Sequence, residues 1–189
     1  MLQDPFNGKY ASEGGLNHGI ELQHGPQRGR FVLPYSEGSR TKNKYAAHAM
    51  AVYSDNGGKN WTIGALLPDY SGEAAIAELK NGSVLISFRN EGEHMPHHPH
   101  NRGFARSDTG GATWAEVWYA NDPGRSTGMI DAPSDQGIDR SEKTDAVYFG
   151  HPGAVTGDRA NYTIHRSTDS GATFVRARRG DIPRRSWVF

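Results

Sequence analysis

The chain of 189 residues is long enough to form one globular domain with its own core. Its 21 basic and 21 acidic residues give a formal net charge of zero, which provides no electrostatic footprint for nucleic acid or an anionic membrane. The absence of cysteine excludes disulfides and cysteine-ligated metals. No apolar stretch reaches the roughly 20 residues of a membrane-spanning helix, so we predict no membrane span.

Turn-forming residues are abundant, with 24 Gly and 10 Pro, and they indicate many short elements. Residues 1–10 lack the apolar core of a signal peptide, which leaves the cellular compartment open. The one basic cluster lies near the C-terminus, and we interpret it as an exposed tail. It comprises Arg176, Arg178, Arg179, Arg184 and Arg185.

Short apolar strands alternate with turn signals along the chain. In chain order, we predict strands at 30–34, 46–53, 74–79, 83–88, 104–106, 113–119, 146–149 and 162–166. Asn81-Gly82 separates two of these strands and is the strongest kind of short hairpin signal. No segment shows a convincing helical period.

A short motif occurs three times, as Ser54–Trp61, Ser107–Trp114 and, in a weaker form, Ser167–Phe174. The copies recur at the spacing of repeat proteins, whose periods of about 40 to 50 residues are typical of propeller blades and solenoids. With about four predicted strands for each copy, the pattern indicates an all-β chain of three four-stranded blades. An ordinary β-sandwich with similar turns is the alternative.

The residues of each motif suit a hairpin turn. A carboxylate can accept hydrogen bonds from backbone N–H groups two or three residues ahead, and we assign this role to Asp55 and Asp108. Thr168 aligns with them in the third copy. Glycines permit the positive φ of a chain reversal, and the closing aromatic residue begins the next strand.

The chain resembles the sialidases with Asp-box repeats. The resemblance covers almost the whole length, and it rests on the three motifs and on the segments between them. These are His18–Leu22 with Gly29–Pro34, Gly72-Glu73 with Ala77–Leu79 and Ser87–Arg89, and Tyr148–Pro152 with Arg159–Asn161. The resemblance implies a six-bladed β-propeller, of which residues 1–189 would form about half, as three blades.

The resemblance also implies a function: the release of terminal sialic acid by a retaining glycosidase. Arginines in this family bind the sialic acid carboxylate, and Arg89 and Arg159 match two of three. A neutral tyrosine serves as nucleophile, because a negatively charged group would be repelled by that carboxylate. Glu73 matches the glutamate that deprotonates the tyrosine. The implied partners are sialylated glycoproteins, glycolipids or oligosaccharides, and no cofactor or metal is implied.

Each assignment has a simpler alternative. Glu73 could be a loop carboxylate in solvent, and Arg159 lies in a polar loop. Arg89 ends a strongly apolar strand, where a charge needs a partner or a ligand. Glu78 is interpreted as structural. The histidines His94, His97, His98 and His100 are interrupted by prolines, and we interpret them as a solvated loop rather than a metal site.

Several residues of the family's catalytic site have no match in this chain. No Arg-Ile-Pro segment precedes His18, no residue matches the family's Asp acid, and the last tyrosine, Tyr162, precedes the third motif. We therefore expect an incomplete site and little or no activity from this chain alone. A non-catalytic Asp-box module that binds sialylated glycans or protein partners is the alternative function. A glycosidase with two carboxylates is a third, which the arginine pair opposes.

Overall fold

The structure, a computed structural model, describes residues 12–14, 18–41, 44–90, 102–120, 137–140, 145–152 and 162–178. These residues form strands and turns, and they contain no helix that could cross a membrane. The strands are β1 Ser12–Gly14, β2 Ile20–Glu21, β3 Phe31–Thr41, β4 Lys44–Ser54, β5 Thr62–Ile63, β6 Ser71–Glu78, β7 Val84–Asn90, β8 Gly103–Ser107, β9 Glu116–Tyr119, β10 Gly137–Arg140, β11 Val147–Pro152, β12 Tyr162–Ser167 and β13 Val175–Arg176.

The strands form three antiparallel sheets that follow one another along the chain. The second sheet has the order β6-β7-β8-β9 and the third β10-β11-β12-β13. In the first sheet, β1 and β2 both pair with β3, which is followed by β4 and β5. We call the sheets blades 1, 2 and 3. The predicted all-β chain of three blades is confirmed, and the sandwich alternative is wrong because each sheet is built from consecutive strands.

Each motif lies in the turn between the third and fourth strand positions of its blade. At the first motif residue, a serine hydroxyl accepts a hydrogen bond from the backbone N–H four residues ahead. The three N–O distances are 2.9 Å for Ser54 with Gly58, 2.8 Å for Ser107 with Gly111 and 2.9 Å for Ser167 with Gly171. The repeat therefore marks one recurring local structure, as the sequence predicts.

The acceptor that closes the turn is the third motif residue, not the second. Its side-chain oxygen accepts a backbone N–H at 2.9 Å in Asn56, Thr109 and Asp169 alike. Burial raises the pKa of the Asp169 carboxyl, but hydrogen bonds from Thr173 and from Ser167 outweigh this and leave the pKa below its ordinary value.

The assignment of the turn-closing role to Asp55 and Asp108 is therefore wrong by one position. Asp55 instead binds Arg30, and Asp108 accepts a hydrogen bond from Ser83 Oγ at 2.9 Å. Both residues contact a neighbouring part of their own blade. The error arises because two consecutive polar residues follow each motif serine, and the spacing does not tell them apart.

The motif turns pack on the preceding blade. Gly111 of blade 2 has a φ of 86°, and a Cβ added there would lie 2.8 Å from Ala51 Cβ of blade 1. Gly171 of blade 3 has a φ of 82°, and a Cβ there would collide with Leu85 of blade 2. Glycine is required at both positions, for its backbone conformation and for the close approach of two blades.

The core lies between the blades. Aromatic rings fill the space between blades 2 and 3, where Phe104 stacks on Phe174 at 5.1 Å and meets Phe149 edge-on at 5.6 Å. One cluster between blades 1 and 2 consists of aliphatic buried side chains: Leu22, Val32, Ala51, Ile76 and Val84. The blades therefore pack face to face along the chain, as expected for neighbouring blades of a propeller.

A polar cluster joins all three blades at the end of β6 that lies nearest the motif turns. The buried carboxylate of Glu78 accepts the backbone N–H groups of Gln23 and His24, each at 2.8 Å. Arg140 of blade 3 donates to the Glu78 carbonyl at 2.8 Å and to Nε2 of His24 at 3.0 Å. Glu78 thus has the structural role that the sequence predicts.

Candidate functional site

Glu73 and Arg89, two of the predicted site residues, lie together in blade 2. Nη1 of Arg89 is 3.7 Å from Oε2 of Glu73, which makes an ion pair but is too long for a hydrogen bond. The Glu73 side chain is 13% exposed and the Arg89 side chain 29%. The pair is therefore partly buried, yet each group keeps some access to solvent.

The pair lies at the end of blade 2 away from the motif turn. At this end β6 begins and β7 finishes, with Ser71 opposite Asn90. At the other end of β7, Val84 is opposite Ser107, the residue that opens the motif. Glu73 and Arg89 therefore lie at the end of blade 2 that is opposite its motif turn.

A β-bulge brings Glu73 to Arg89. Between the paired residues Ser71 and Ala74, the register with β7 shifts, so that Gly72 and Glu73 together oppose Arg89. A bulge of this kind redirects side chains, and bulges are enriched beside active sites. Glu73 is a strand residue in a defined position, so the alternative of a solvated loop carboxylate is wrong.

The backbone just before the bulge is strained and held in place. Tyr70 has a φ of 67°, a conformation that bulky side chains rarely adopt. The next residue, Ser71, donates its hydroxyl to the Pro68 carbonyl at 2.6 Å and accepts the Ala49 N–H of blade 1 at 2.8 Å. Strain that the surrounding structure maintains is common at functional sites.

Arg102, for which the sequence gives no prediction, contacts the backbone of Glu73. Its side chain is among the largest fully buried ones, at 1% exposure. Nε donates to Ser87 Oγ at 2.9 Å, and Nη2 donates to the backbone carbonyl of Glu73 at 3.2 Å. The sequence offers no signal for this burial, because Arg102 follows a long polar stretch and looks like a loop residue.

Two predictions about functional residues fall outside the described residues. Arg159 is one of them, so its convergence with Arg89 stays a prediction. The histidine cluster at 94–100 is the other. In the part of the chain that the structure describes, no group of three or more His, Cys, Asp or Glu residues is arranged to hold a metal ion.

A known family model, the BNR repeat-like domain, matches residues 14–181. The chain belongs to this family. Among curated proteins, it is 28% identical to a Vibrio cholerae sialidase over 188 residues, covering 85% of this chain and 23% of the relative. It is 28% identical to a Micromonospora viridifaciens sialidase over 182 residues, covering 92% and 26%. The chain thus spans about a quarter of the length of these curated relatives.

Solved sialidases share the fold of this BNR-family chain. A leech intramolecular trans-sialidase superposes with a TM-score of 0.56 at 19% identity, covering 84% of this chain and 23% of that one. A Hadza microbial sialidase superposes with a TM-score of 0.58 at 22% identity, covering 82% and 28%. The resemblance to sialidases with Asp-box repeats and the predicted sialidase-type propeller are both confirmed.

Proposed function

We propose that this chain contributes Glu73 and Arg89 to the site of a sialidase-like glycoside hydrolase that releases terminal sialic acid. The observation that carries the proposal is the pairing of these two residues across a bulge, at the end of the blade away from the motif turn. The similarity to curated sialidases supports the choice of this reaction. The assignment of residues 1–189 to about half of a sialidase propeller domain belongs to the same proposal.

Arg89 would bind the carboxylate of the substrate. A guanidinium offers two parallel N–H donors that match the two oxygens of a carboxylate, and it stays charged at any working pH. The Arg89 side chain is 29% exposed, so a ligand in solvent can reach it. In the proposal Arg159 adds a second guanidinium to the same carboxylate.

Glu73 would act as the base that activates a tyrosine nucleophile. Its carboxylate takes the phenolic proton while the phenolic oxygen bonds to the anomeric carbon and the glycosidic C–O bond breaks. An acid gives the leaving oxygen its proton, and water then cleaves the tyrosyl intermediate with overall retention. No residue of this chain matches the tyrosine or the acid, so the proposal assigns it Glu73, Arg89 and Arg159 as contributors to a larger site. The substrates would be sialylated glycoproteins, glycolipids or oligosaccharides.

A binding experiment tests the proposal without requiring turnover. Free sialic acid and its uncharged methyl ester are titrated into the ¹⁵N-labelled chain, and the amide shifts are followed by NMR. We expect the acid to shift the amides of Gly72, Glu73 and Ala74, and the ester to leave them unchanged. Arg89→Met should abolish the response.

The matched control is Arg28→Met, which removes an exposed arginine from a loop near the motif turns. This variant should respond to the acid as the wild type does. Equal responses to acid and ester, or an unchanged response in Arg89→Met, would contradict the proposal. Binding that persists in Arg89→Met but involves other residues would favour the non-catalytic alternative.

A further inference from the structure

We infer that Arg102 is a positioning residue that sets the place of Glu73 in the site; the inference rests on the function proposed above. Arg102 is buried immediately before β8 and reaches two strands at once. Its Nε bonds Ser87 Oγ on β7 at 2.9 Å, and its Nη2 bonds the carbonyl oxygen of Glu73 on β6 at 3.2 Å.

The contact falls at the point where β6 leaves its regular pairing. At the bulge the register with β7 shifts, so that Gly72 and Glu73 share one partner position on β7. The guanidinium is a rigid fork, and two bonds to acceptors on adjacent strands define the distance between them. Arg102 therefore holds the Glu73 carbonyl at a fixed distance from Ser87.

Blade 3 fixes the guanidinium from the other side. The Arg102 guanidinium carbon lies 5.6 Å from the centroid of the Phe149 ring, within the range of a cation–π contact. Phe149 is fully buried and packs edge-on against Phe104 at 5.6 Å. Arg102 thus links the position of Glu73 to the packing of blade 3 on blade 2.

A purely structural arginine and a positioning arginine make different predictions. If Arg102 only stabilises the core, then weakening it lowers stability throughout the chain and leaves the site geometry unchanged. If it positions Glu73, a change of its two bonds alters the Glu73 backbone locally and weakens ligand binding. Burying a cation is costly whether the arginine stabilises the core or positions Glu73, so stability alone does not separate the two roles. The test therefore measures the geometry of the site and its affinity for the ligand.

The experiment compares Arg102→Lys and Ser87→Ala with Arg106→Lys in the full chain. Lysine keeps the charge but replaces the planar fork with a single ammonium group, and Ser87→Ala removes one acceptor. Arg106 lies on the adjacent strand β8 with a 36% exposed side chain, and it provides the same substitution without a contact to Glu73. The readouts are the ¹³C carbonyl shift of Glu73, the dissociation constant for free sialic acid and the urea midpoint.

We expect Arg102→Lys to move the Glu73 carbonyl shift upfield, as the loss of a hydrogen bond does, and to weaken sialic acid binding by about tenfold. Ser87→Ala should act in the same direction with a smaller effect. Arg106→Lys should change neither the Glu73 carbonyl shift nor the dissociation constant for sialic acid. An unchanged carbonyl shift in both Arg102→Lys and Ser87→Ala would overturn the inference. A lower urea midpoint in Arg102→Lys, accompanied by wild-type affinity for sialic acid, would also overturn it.

The two proposals fail separately. If the wild-type chain does not bind sialic acid, the proposed function fails, and the carbonyl shift alone decides whether Arg102 positions Glu73. If Arg102→Lys does not fold, Ser87→Ala decides, because it retains the arginine and removes only a hydroxyl.

Discussion

Arg30 binds the carboxylate of Asp55 through two parallel bonds, from Nε to Oδ1 at 2.7 Å and from Nη2 to Oδ2 at 2.9 Å. Its remaining nitrogen, Nη1, donates to the carbonyl of Thr109 at 2.9 Å, in the motif turn of blade 2. The same guanidinium lies 4.0 Å above the Tyr53 ring. One side chain therefore connects the motif turns of two adjacent blades.

We expect Arg30→Met to lower the free energy of unfolding by about 1 to 2 kcal/mol, because charge-assisted bonds between the two blades are lost. Asp55→Asn should cost less, since the Asp55 side chain is 60% exposed and its ion pair is screened by water. Urea denaturation followed by tryptophan fluorescence measures both. Arg28→Met serves as the control, and a loss in Arg30→Met no larger than in this control would count against the bridge.

Gly171 should not tolerate a side chain. Gly171→Ala combines a φ of 82° with a collision against Leu85, so we expect a loss of about 2 to 4 kcal/mol. Gly57→Ala is the matched control, because Gly57 has a φ of 69° but nothing within 4 Å of an added Cβ. It should lose only about 1 kcal/mol, from backbone strain. Equal urea midpoints for the two variants would show that the contact between blades does not matter.

Stability should fall in mild acid because of a buried histidine pair in blade 3. Nε2 of His151 and Nδ1 of His165 are 3.1 Å apart, and both residues are buried. Burial lowers the pKa of His165 from 6.5, and the nearby Arg176 lowers this pKa further. The unfolded chain therefore binds a proton more readily than the folded chain.

Because the unfolded chain takes up the proton more readily, acid favours unfolding. The contribution of neutral His165 to stability is complete above about pH 6.5 and is lost as the pH falls below that value. The slope for one group is at most about 1.4 kcal/mol per pH unit. Urea midpoints at pH 7.5 and pH 5.5 measure the effect, and His165→Gln should reduce the difference between them. If His165→Gln keeps the full wild-type dependence of stability on pH, that dependence arises from another group.

The isolated chain should show little or no turnover of a fluorogenic sialoside. The reaction needs a nucleophile and a general acid, and no residue here matches either; general acid catalysis alone contributes roughly two to four orders of magnitude. The assay is run beside Arg89→Ala. Robust turnover that disappears in this variant would show that the chain contains a complete catalytic site.

The sequence predicts local features well and contacts between blades poorly. Asn81-Gly82 predicts the β6–β7 hairpin, and Gly82 has the expected positive φ of 84°. Glu73 and Arg89 are found because their segments resemble the family, yet the bulge that joins them leaves no clear mark in the sequence. Arg102 is missed because its buried surroundings include Phe149, which lies in another blade and far along the chain.

The bulge at Gly72 and Glu73 has a consequence for insertions and deletions. Ser71 is tied to blade 1 through the Ala49 N–H, and Ala74 is paired with Phe88 of β7. The extra residue of the bulge lets β6 span the distance between these two fixed points. Removing Gly72 would force the strand either to detach from blade 1 or to slip by one residue, and a slip of one residue turns every affected side chain to the other face of the sheet. Chain length at this point is therefore as constrained as residue identity.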